Sequence, residues 1–434
     1  MNHNPFRYLQ PVTSQAFVGR WPLVNDLVQN LLMETGDSHA IIGGPRSGKT
    51  SILRVVEEQL RQPTQYETGD YLPVPVYIDF KAALFDSAEA VFAFLLQQVY
   101  HQINTAIYSL GIEMQPPRAR ASHHWFTELI NAPKLAQQDF EVCMLYLLDQ
   151  LEGNVKSVRL ILLLDESGKS LDQPWTNALY MQARNLLSVV EFNQRVRLVL
   201  ASSYRFLEQT VLNDLPLCGM LKLHCLQAFD QIALDQLLAF VPGLPVTTQM
   251  AIRCQSGGHP FLTQYLLYHV WERTKGMNFE YVDVTQIDNL VAGFLHQYAF
   301  ELESWFHLLS ASDIVVYRTL SLAADWMTEE QILATVVEPV QRIKRILFTL
   351  CTQELVIHNE NWTHFRYTGK IFRQMLSPAD TCRPSGCAIM PNDSSITPPV
   401  YNVVNINTGG GAYIAGSVGT DGGNFVGHNA VMSL

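Results

Sequence analysis

The sequence is short of the features that would mark a membrane or secreted protein. No apolar run approaches the roughly 20 residues needed to span a bilayer, and the opening MNHNPFRYLQ lacks the pattern of a secretory signal. Cysteine is sparse: 7 residues, an odd number without regular spacing, which excludes a disulfide framework. These absences predict a reduced, cytoplasmic protein without membrane contact. An excess of positive charge is missing too. Lys and Arg number 29 against 40 Asp and Glu, a formal net charge of −11, which argues against a chain that coats nucleic acid non-specifically but leaves room for a local basic patch. What the chain has is apolar content, 48%, and length: 434 residues suit about two to four domains.

The strongest signal lies in HAIIGGPRSGKTSILRVVEEQL. A short apolar strand (Ala40 to Ile42) leads into a Gly-rich turn and then an amphipathic helix from about Lys49. Gly43, Gly48, Lys49 and Thr50 fill the spacing G-x-x-x-x-G-K-[ST], whose chemistry is phosphate binding. Gly48 lets the backbone curl so that N–H groups point at a phosphate, and the helix N-terminus adds partial positive charge. Lys49 is expected to reach the outer phosphates, and the Thr50 hydroxyl to ligate Mg2+. The expected nucleotide contacts are therefore Gly43, Gly44, Pro45, Arg46, Ser47, Gly48, Lys49, Thr50 and Ser51, with ATP or ADP as ligand.

Such a site needs a carboxylate on a neighbouring strand, and VRLILLLDESGKS supplies one. The apolar run Leu160 to Leu164 suits a strand buried on both faces of a parallel sheet. Asp165 at its C-terminal end would hold the Mg2+ hydration shell, and Glu166 would orient or deprotonate the attacking water. PVYIDF (Pro75 to Phe80), RVRLVLASSYRF (Arg195 to Phe206) and LKLHCL (Leu221 to Leu226) read as further strands alternating with helices. The fold class expected is α/β, a P-loop NTPase with a parallel sheet covered by helices on both faces. Residues 85–151 read as a mostly helical insertion, broken at MQPPRARASHH, with His123 and His124 in the break.

With these residues placed, the chain resembles the AAA+-related signalling ATPases called STAND NTPases, over roughly residues 15 to 375. It looks closest to bacterial members with an archaeal-type or origin-recognition-like ATPase module. FVGR (Phe17 to Arg20) is similar to the box that packs near the adenine there, so Val18, Gly19 and Arg20 join the expected contacts, although Trp21 stands where an acid is common. In ASSYR, the resemblance implies that Ser203 or Ser202 senses the γ-phosphate or water and that Arg205 reads the phosphates. SGGHPFLTQYL is similar to the lid turn, with Pro260 at the base, and Arg184 matches an arginine finger toward a neighbouring subunit. Each has a plainer alternative: FVGR a turn into a helix, GGHP a helix boundary, Arg205 a surface arginine.

Beyond the core, residues 226–304 read as a helical lid, and 305–376 as helix, helix, helix, hairpin, the order of a winged helix. Its strands are expected at Leu355 to His358 and Thr363 to Tyr367, turned by Asn359, Glu360 and Asn361. From Asp313 to Arg373 the sequence has 7 basic and 7 acidic residues, so no net charge draws this segment to phosphate, although Arg342, Lys344 and Arg345 cluster on the candidate recognition helix. The histidine that holds ADP in many STAND proteins is missing at Tyr367-Thr368-Gly369; neither His358 nor His364 is selected by spacing.

Residues 377–396 form a polar Pro- and Ser-rich linker containing Cys382 and Cys387. Residues 397–434 carry a repeat of period 12, in which Thr408, Gly410, Gly411, Tyr413 and Ile414 recur as Thr420, Gly422, Gly423, Phe425 and Val426. This tail is either a flexible Gly-rich segment or a stacking β-motif that needs identical copies or a partner. Residues 1–15 are an N-terminal extension and 16–225 the ATPase core. Only about 16 residues precede FVGR, so an effector would be a separate protein. The first expectation of function is a slow ATPase acting as a nucleotide-controlled oligomerisation switch, self-associating through its ATPase face, with an effector or sensor partner on the tail in bacterial stress or defence signalling. The alternative is a DNA-associated AAA+ ATPase of origin-recognition or transposition-helper type.

Overall fold

The computed structural model describes residues 3–62, 71–81, 85–109, 120–152, 157–212, 215–217, 219–307, 309–323, 325–375, and the strands at 400–405, 415–420 and 423–425. The chain forms two compact units. One holds Pro11–Ile42 and Gly48–His224; the other holds the N-terminal residues through Gln10, the five residues Gly43–Ser47, and the chain from Cys225 onward.

The first unit is built on strands β1 (Ser38–Ile42), β2 (Leu72–Asp79), β3 (Val158–Asp165), β4 (Val196–Ser202) and β5 (Leu221–Cys225), in the order β2-β3-β4-β1-β5. The pairings β1 with β4, β3 with β4 and β2 with β3 are parallel. All eight residues of β3 and all seven of β4 are buried, as a central strand with helices on both faces requires. β2 carries Pro73 and Pro75, which cannot donate to a ladder, and it lies at the sheet edge. Helices α1 (Trp21–Leu32) and α2 (Lys49–Leu60) bury the stripes Val24, Leu27, Val28, Leu31 and Ile52, Leu53, Val55, Val56, Leu60.

Three expectations are corrected here. β3 is not the hydrogen-bonded neighbour of β1; β4 runs between them. The fourth strand stops at Ser202, because Tyr204 already opens a helix (Tyr204–Leu212). The insertion is helical at Ala88–Ser109 (α3), Arg120–Ile130 (α4) and Gln137–Glu152 (α5). His123 and His124 thus belong to α4 rather than to a loop, and His124 pairs with Glu128 one turn on, at 3.2 Å. Residues 114–119 of the proline-containing break lie outside the described residues. Among the described residues no cluster of three or more His, Cys, Asp or Glu could hold a metal, and no helix is long and apolar enough to cross a membrane.

The second unit is mainly helical from Gln231 to Phe306. Asp230 and Asp283 cap two of its helices through hydrogen bonds from Ala233 and Gln286. Gly257, at φ +59°, ends the helix Val246–Ser256, and Pro260 opens the helix Pro260–Thr274 at its first turn. The long helix Val284–Phe306 packs its aromatic face on that one: Phe261 lies 5.6 Å from Phe294 and 5.4 Å from Tyr298, ring centre to ring centre. The N-terminal segment is tied to the same helix. Phe6 is buried against Trp271, and Tyr8 meets Tyr265 and Tyr268, each 5.1 Å away.

Three further helices follow, Ala311–Leu322, Glu329–Thr335 and Val340–Thr352, the first two opened by capping boxes at Ser310/Asp313 and Thr328/Gln331. The hairpin expected after them is present at Val356–His358 and His364–Tyr367, and a two-residue strand, Met327–Thr328, adds to its other edge. The backbone segments Val400–Asn405, Ala415–Thr420 and Gly423–Phe425 form a three-stranded antiparallel sheet. The linker with Cys382 and Cys387, and the repeat positions Thr408, Gly410, Gly411, Tyr413, Ile414, Gly422 and Val426, lie outside the described residues.

Candidate functional site

In the first unit, register brings the expected chemistry to one edge of the sheet. Ile42, the last residue of β1, pairs with Ser202, the last of β4, and Leu164 pairs with Leu200, so Asp165 emerges at the same C-terminal edge. Open α/β sheets bind ligands at this edge. Gly48 precedes α2 at φ +90°, a left-handed conformation that penalises a side chain. Lys49 and Thr50 follow as the first two residues of the helix. Arg20, from the FVGR box, reaches this turn: its Nη1 is 3.1 Å from where a Cβ on Gly48 would stand. Phe17 of the same box is buried with Trp21 packed on it edge-to-face, and Gly19 turns at φ +80°. The Ser51 hydroxyl accepts from the Val12 amide at 3.2 Å.

Asp165 is 2% exposed and already well bonded. Tyr77 Oη donates to Oδ2 at 2.7 Å, and the Glu166 amide donates to Oδ1 at 2.9 Å. Burial first, and the Asp165 bond second, push the Tyr77 hydroxyl far above its ordinary pKa, so it stays a donor. Glu166 sits at φ +55° at the head of the turn Ser167–Ser170, and Lys81 Nζ meets its Oε1 at 2.5 Å. Gly168 lies against both candidate sensor serines: a Cβ there would be 3.0 Å from Ser202 Oγ and 3.3 Å from Ser203 Oγ. Ser202 is 1% exposed and its Oγ has no hydrogen-bond partner among the described residues, a buried acceptor or donor left for something else to satisfy.

The two arginines have partners within the chain. Arg205 forms a bidentate pair with Asp172, at 2.6 and 2.5 Å, on the surface. Arg184 Nη1 donates to the Pro216 carbonyl at 2.8 Å.

The loop residues Gly43–Ser47 belong to the second unit, and there they are closely packed. Gly43 lies against Leu226, and Ser47 is fully buried. Arg46, at φ +58°, makes two bonds to Glu301, at 2.6 and 3.2 Å, and its guanidinium lies over the Phe261 ring at 4.9 Å. A Cβ on Gly44 would fall 2.4 Å from the Gln353 carbonyl oxygen. Pro260, expected at the base of a nucleotide, is buried at the start of its helix.

Sequence reasoning did not find Tyr77, Lys81, Asp172, Glu301 or Gln353. Lys81 follows a strand that ends level with Asp165, since Asp79 pairs with Asp165 in the sheet, a register with no sequence signal. The other four depend on packing.

A five-stranded parallel sheet with flanking helices, and a G-x-x-x-x-G-K-T turn between its β1 strand and the next helix, define the P-loop NTPase α/β fold. No family model matches the sequence, and no curated protein matches it either. Among solved structures, a Walker-type ATPase of Pyrococcus abyssi aligns over 85% of this chain and 98% of its own, at 15% identity and a TM-score of 0.55. The Aeropyrum pernix ORC2 protein aligns over 81% and 90%, at 14% identity and a TM-score of 0.44. The Aeropyrum pernix ORC1 protein in complex with DNA aligns over 83% and 92%, at 13% identity and a TM-score of 0.42. At these identities the likeness is one of fold, and the first of the three supplies it.

Proposed function

We propose that this chain is an ATP-binding, Mg2+-dependent ATPase of the AAA+ type with an origin-recognition-like module. The observation that carries the proposal is the turn Gly48-Lys49-Thr50 opening α2 at the sheet edge where Asp165 ends β3 and Glu166 follows it. On this reading the loop amides and Lys49 bind the phosphates, with Val18, Gly19 and Arg20 toward the base. The residues fit a Mg2+ site chemically. Thr50 offers a hydroxyl, and each Asp165 oxygen already takes one hydrogen bond while keeping a lone pair for a metal-bound water. Mg2+ would supply charge neutralisation of the phosphates. Glu166 acts on water once released from Lys81, and Ser202 or Ser203 bonds the γ-phosphate or that water. Arg205 serves only after leaving Asp172.

The use of this module in a DNA-associated ATPase follows from reading residues 305–376 as a winged helix after a lid at 226–304. Its charges temper that use. Arg342 is bonded to Ser312 and lies 3.4 Å from Glu338, and Lys344 lies 3.7 Å from Glu329, so two of the clustered cations are held within the protein. The second reading, a STAND-like oligomerisation switch, rests on the motifs for its signalling half. The packing of Gly44 and Arg46 on Gln353 and Glu301 favours its switching half.

One experiment separates them. Labelled duplex DNA is titrated near 0.1 M salt with and without an ATP analogue, and light scattering follows the protein's mass in parallel. Salt-sensitive binding with duplex-stimulated hydrolysis supports the DNA-associated use. Analogue-dependent oligomers without DNA binding support the switch.

A further inference from the structure

Tyr77 lies on β2 opposite Leu163 of β3, two residues before Asp79, the register partner of Asp165. Its buried ring spans the diagonal between the two strands, and its hydroxyl donates to Asp165 Oδ2 at 2.7 Å. A phenylalanine would pack the same ring against the sheet; what the tyrosine adds is this one bond. Asp79, directly across from Asp165, is a like charge and accepts from the Lys81 amide at 2.8 Å, so the donor to Asp165 comes from the diagonal. The ring is held from its other side. Arg54 of α2 lays its guanidinium over it, 3.3 Å from the ring centre, and is itself bonded to Glu57 Oε2 at 2.9 Å. Arg61 takes Glu57 Oε1 at 3.0 Å and also bonds the Pro75 carbonyl of β2 and Gln102 of α3. Gln102 donates to the Tyr77 carbonyl at 3.4 Å. Ring and backbone of Tyr77 are thus both fixed, by residues that all belong to the first unit.

We infer that Tyr77, clamped by Arg54, is a positioning residue for the metal: its hydroxyl sets the turn of the Asp165 carboxylate. This rests on the Mg2+ site proposed above and adds to it a residue that touches neither metal nor nucleotide. The terminal torsion of an aspartate is broad and soft, so an unheld carboxylate turns freely. Here Oδ2 is held by Tyr77 and Oδ1 by the Glu166 amide, at 2.9 Å, and a turn breaks one bond or the other. The remaining lone pairs then face the metal's hydration shell without reorganisation. A donor behind a direct metal ligand is worth about ten- to a hundredfold in metal affinity. Asp165 acts through the hydration shell and keeps the amide bond, so about five- to tenfold is expected of Tyr77.

The test uses the full chain in excess over ADP, with Mn2+ in place of Mg2+ and the free ion read from its electron paramagnetic resonance signal. Tyr77→Phe is expected to weaken Mn2+ binding about five- to tenfold while ADP affinity in EDTA stays at the wild-type value. A bond that only packs the sheet would lower the melting temperature and leave Mn2+ affinity as it is. Arg54→Lys, at a half-exposed position, keeps the charge and loses the planar stack on the ring. It is expected to weaken Mn2+ binding about twofold, and it carries the test should Tyr77→Phe fail to fold. Asp165→Asn tests the underlying site. Asp165-dependent Mn2+ binding with wild-type affinity in folded Tyr77→Phe, or in Arg54→Lys where Tyr77→Phe does not fold, overturns the positioning role alone. Mn2+ binding that is absent in the wild type, or unchanged in Asp165→Asn, overturns the metal site and the positioning role with it.

Discussion

Lys81→Ala is the perturbation with the sharpest consequence for chemistry. Glu166 can act on a water only with its carboxylate free to face it, yet Lys81 holds Oε1 at 2.5 Å. The two side chains are 49% and 30% exposed, so solvent screens the pair. Its worth is at most about 1 kcal/mol, and releasing that restraint is worth up to about fivefold in rate. Single-turnover ATP hydrolysis, read as phosphate release, measures it. Lys81→Ala should raise the hydrolysis rate by up to about fivefold at unchanged nucleotide affinity, while Glu166→Gln should lower it by about a hundredfold or more. A fall in Lys81→Ala as deep as that in Glu166→Gln refutes the reasoning, because Lys81 would then be part of the catalytic machinery.

Two further outcomes test the packing. His39 on β1 is buried, bonded to His224 at 2.9 Å and to Asn30 at 3.1 Å, and burial first, then His224, Lys222 and Arg197, hold its pKa down at about 3. The native state keeps it neutral while the unfolded chain takes up a proton below about 6.5, so its contribution is complete above that pH and is lost as pH falls; urea titrations should show a loss of about 2 kcal/mol between about pH 6.5 and 5. His39→Asn should flatten that slope, and an unchanged slope would rule the pair out as its source. Gly257→Ala puts a Cβ 1.4 Å from the Thr368 carbonyl at φ +59° and should cost about 3 kcal/mol or more. Gly293→Ala, in a helix with nothing near its Cβ, should stabilise by about 0.5–1 kcal/mol; equal melting temperatures for the two variants would contradict this.

The strand–turn–helix of the phosphate loop was legible because its chemistry is local: spacing, a glycine with positive φ and a helix start all lie within a few residues. The run before Asp165 was legible for the same reason, since burial on both faces keeps Leu160–Leu164 wholly apolar. Strand order was not, because nothing in Leu160–Leu164 says that β4 will lie between it and β1. The end of β4 was overrun because Tyr204-Arg205-Phe206 has strand-like composition yet begins a helix. Arg205 and Arg46 show where side-chain roles escape sequence. Each is a cation beside an expected phosphate site, and each is bound to a carboxylate 33 or 255 residues away, Asp172 and Glu301. Gly44 was read as a phosphate contact, while its missing side chain answers to Gln353.

The central claim is that residues 43–50 bind nucleotide. Isothermal titration of ADP with Mg2+ into the wild-type chain and into Lys49→Ala tests it most directly. The account predicts saturable one-site binding in the wild type, weakened at least about tenfold by loss of the charge-assisted bond from Lys49. No binding by the folded wild type, or equal affinity in Lys49→Ala, would contradict it.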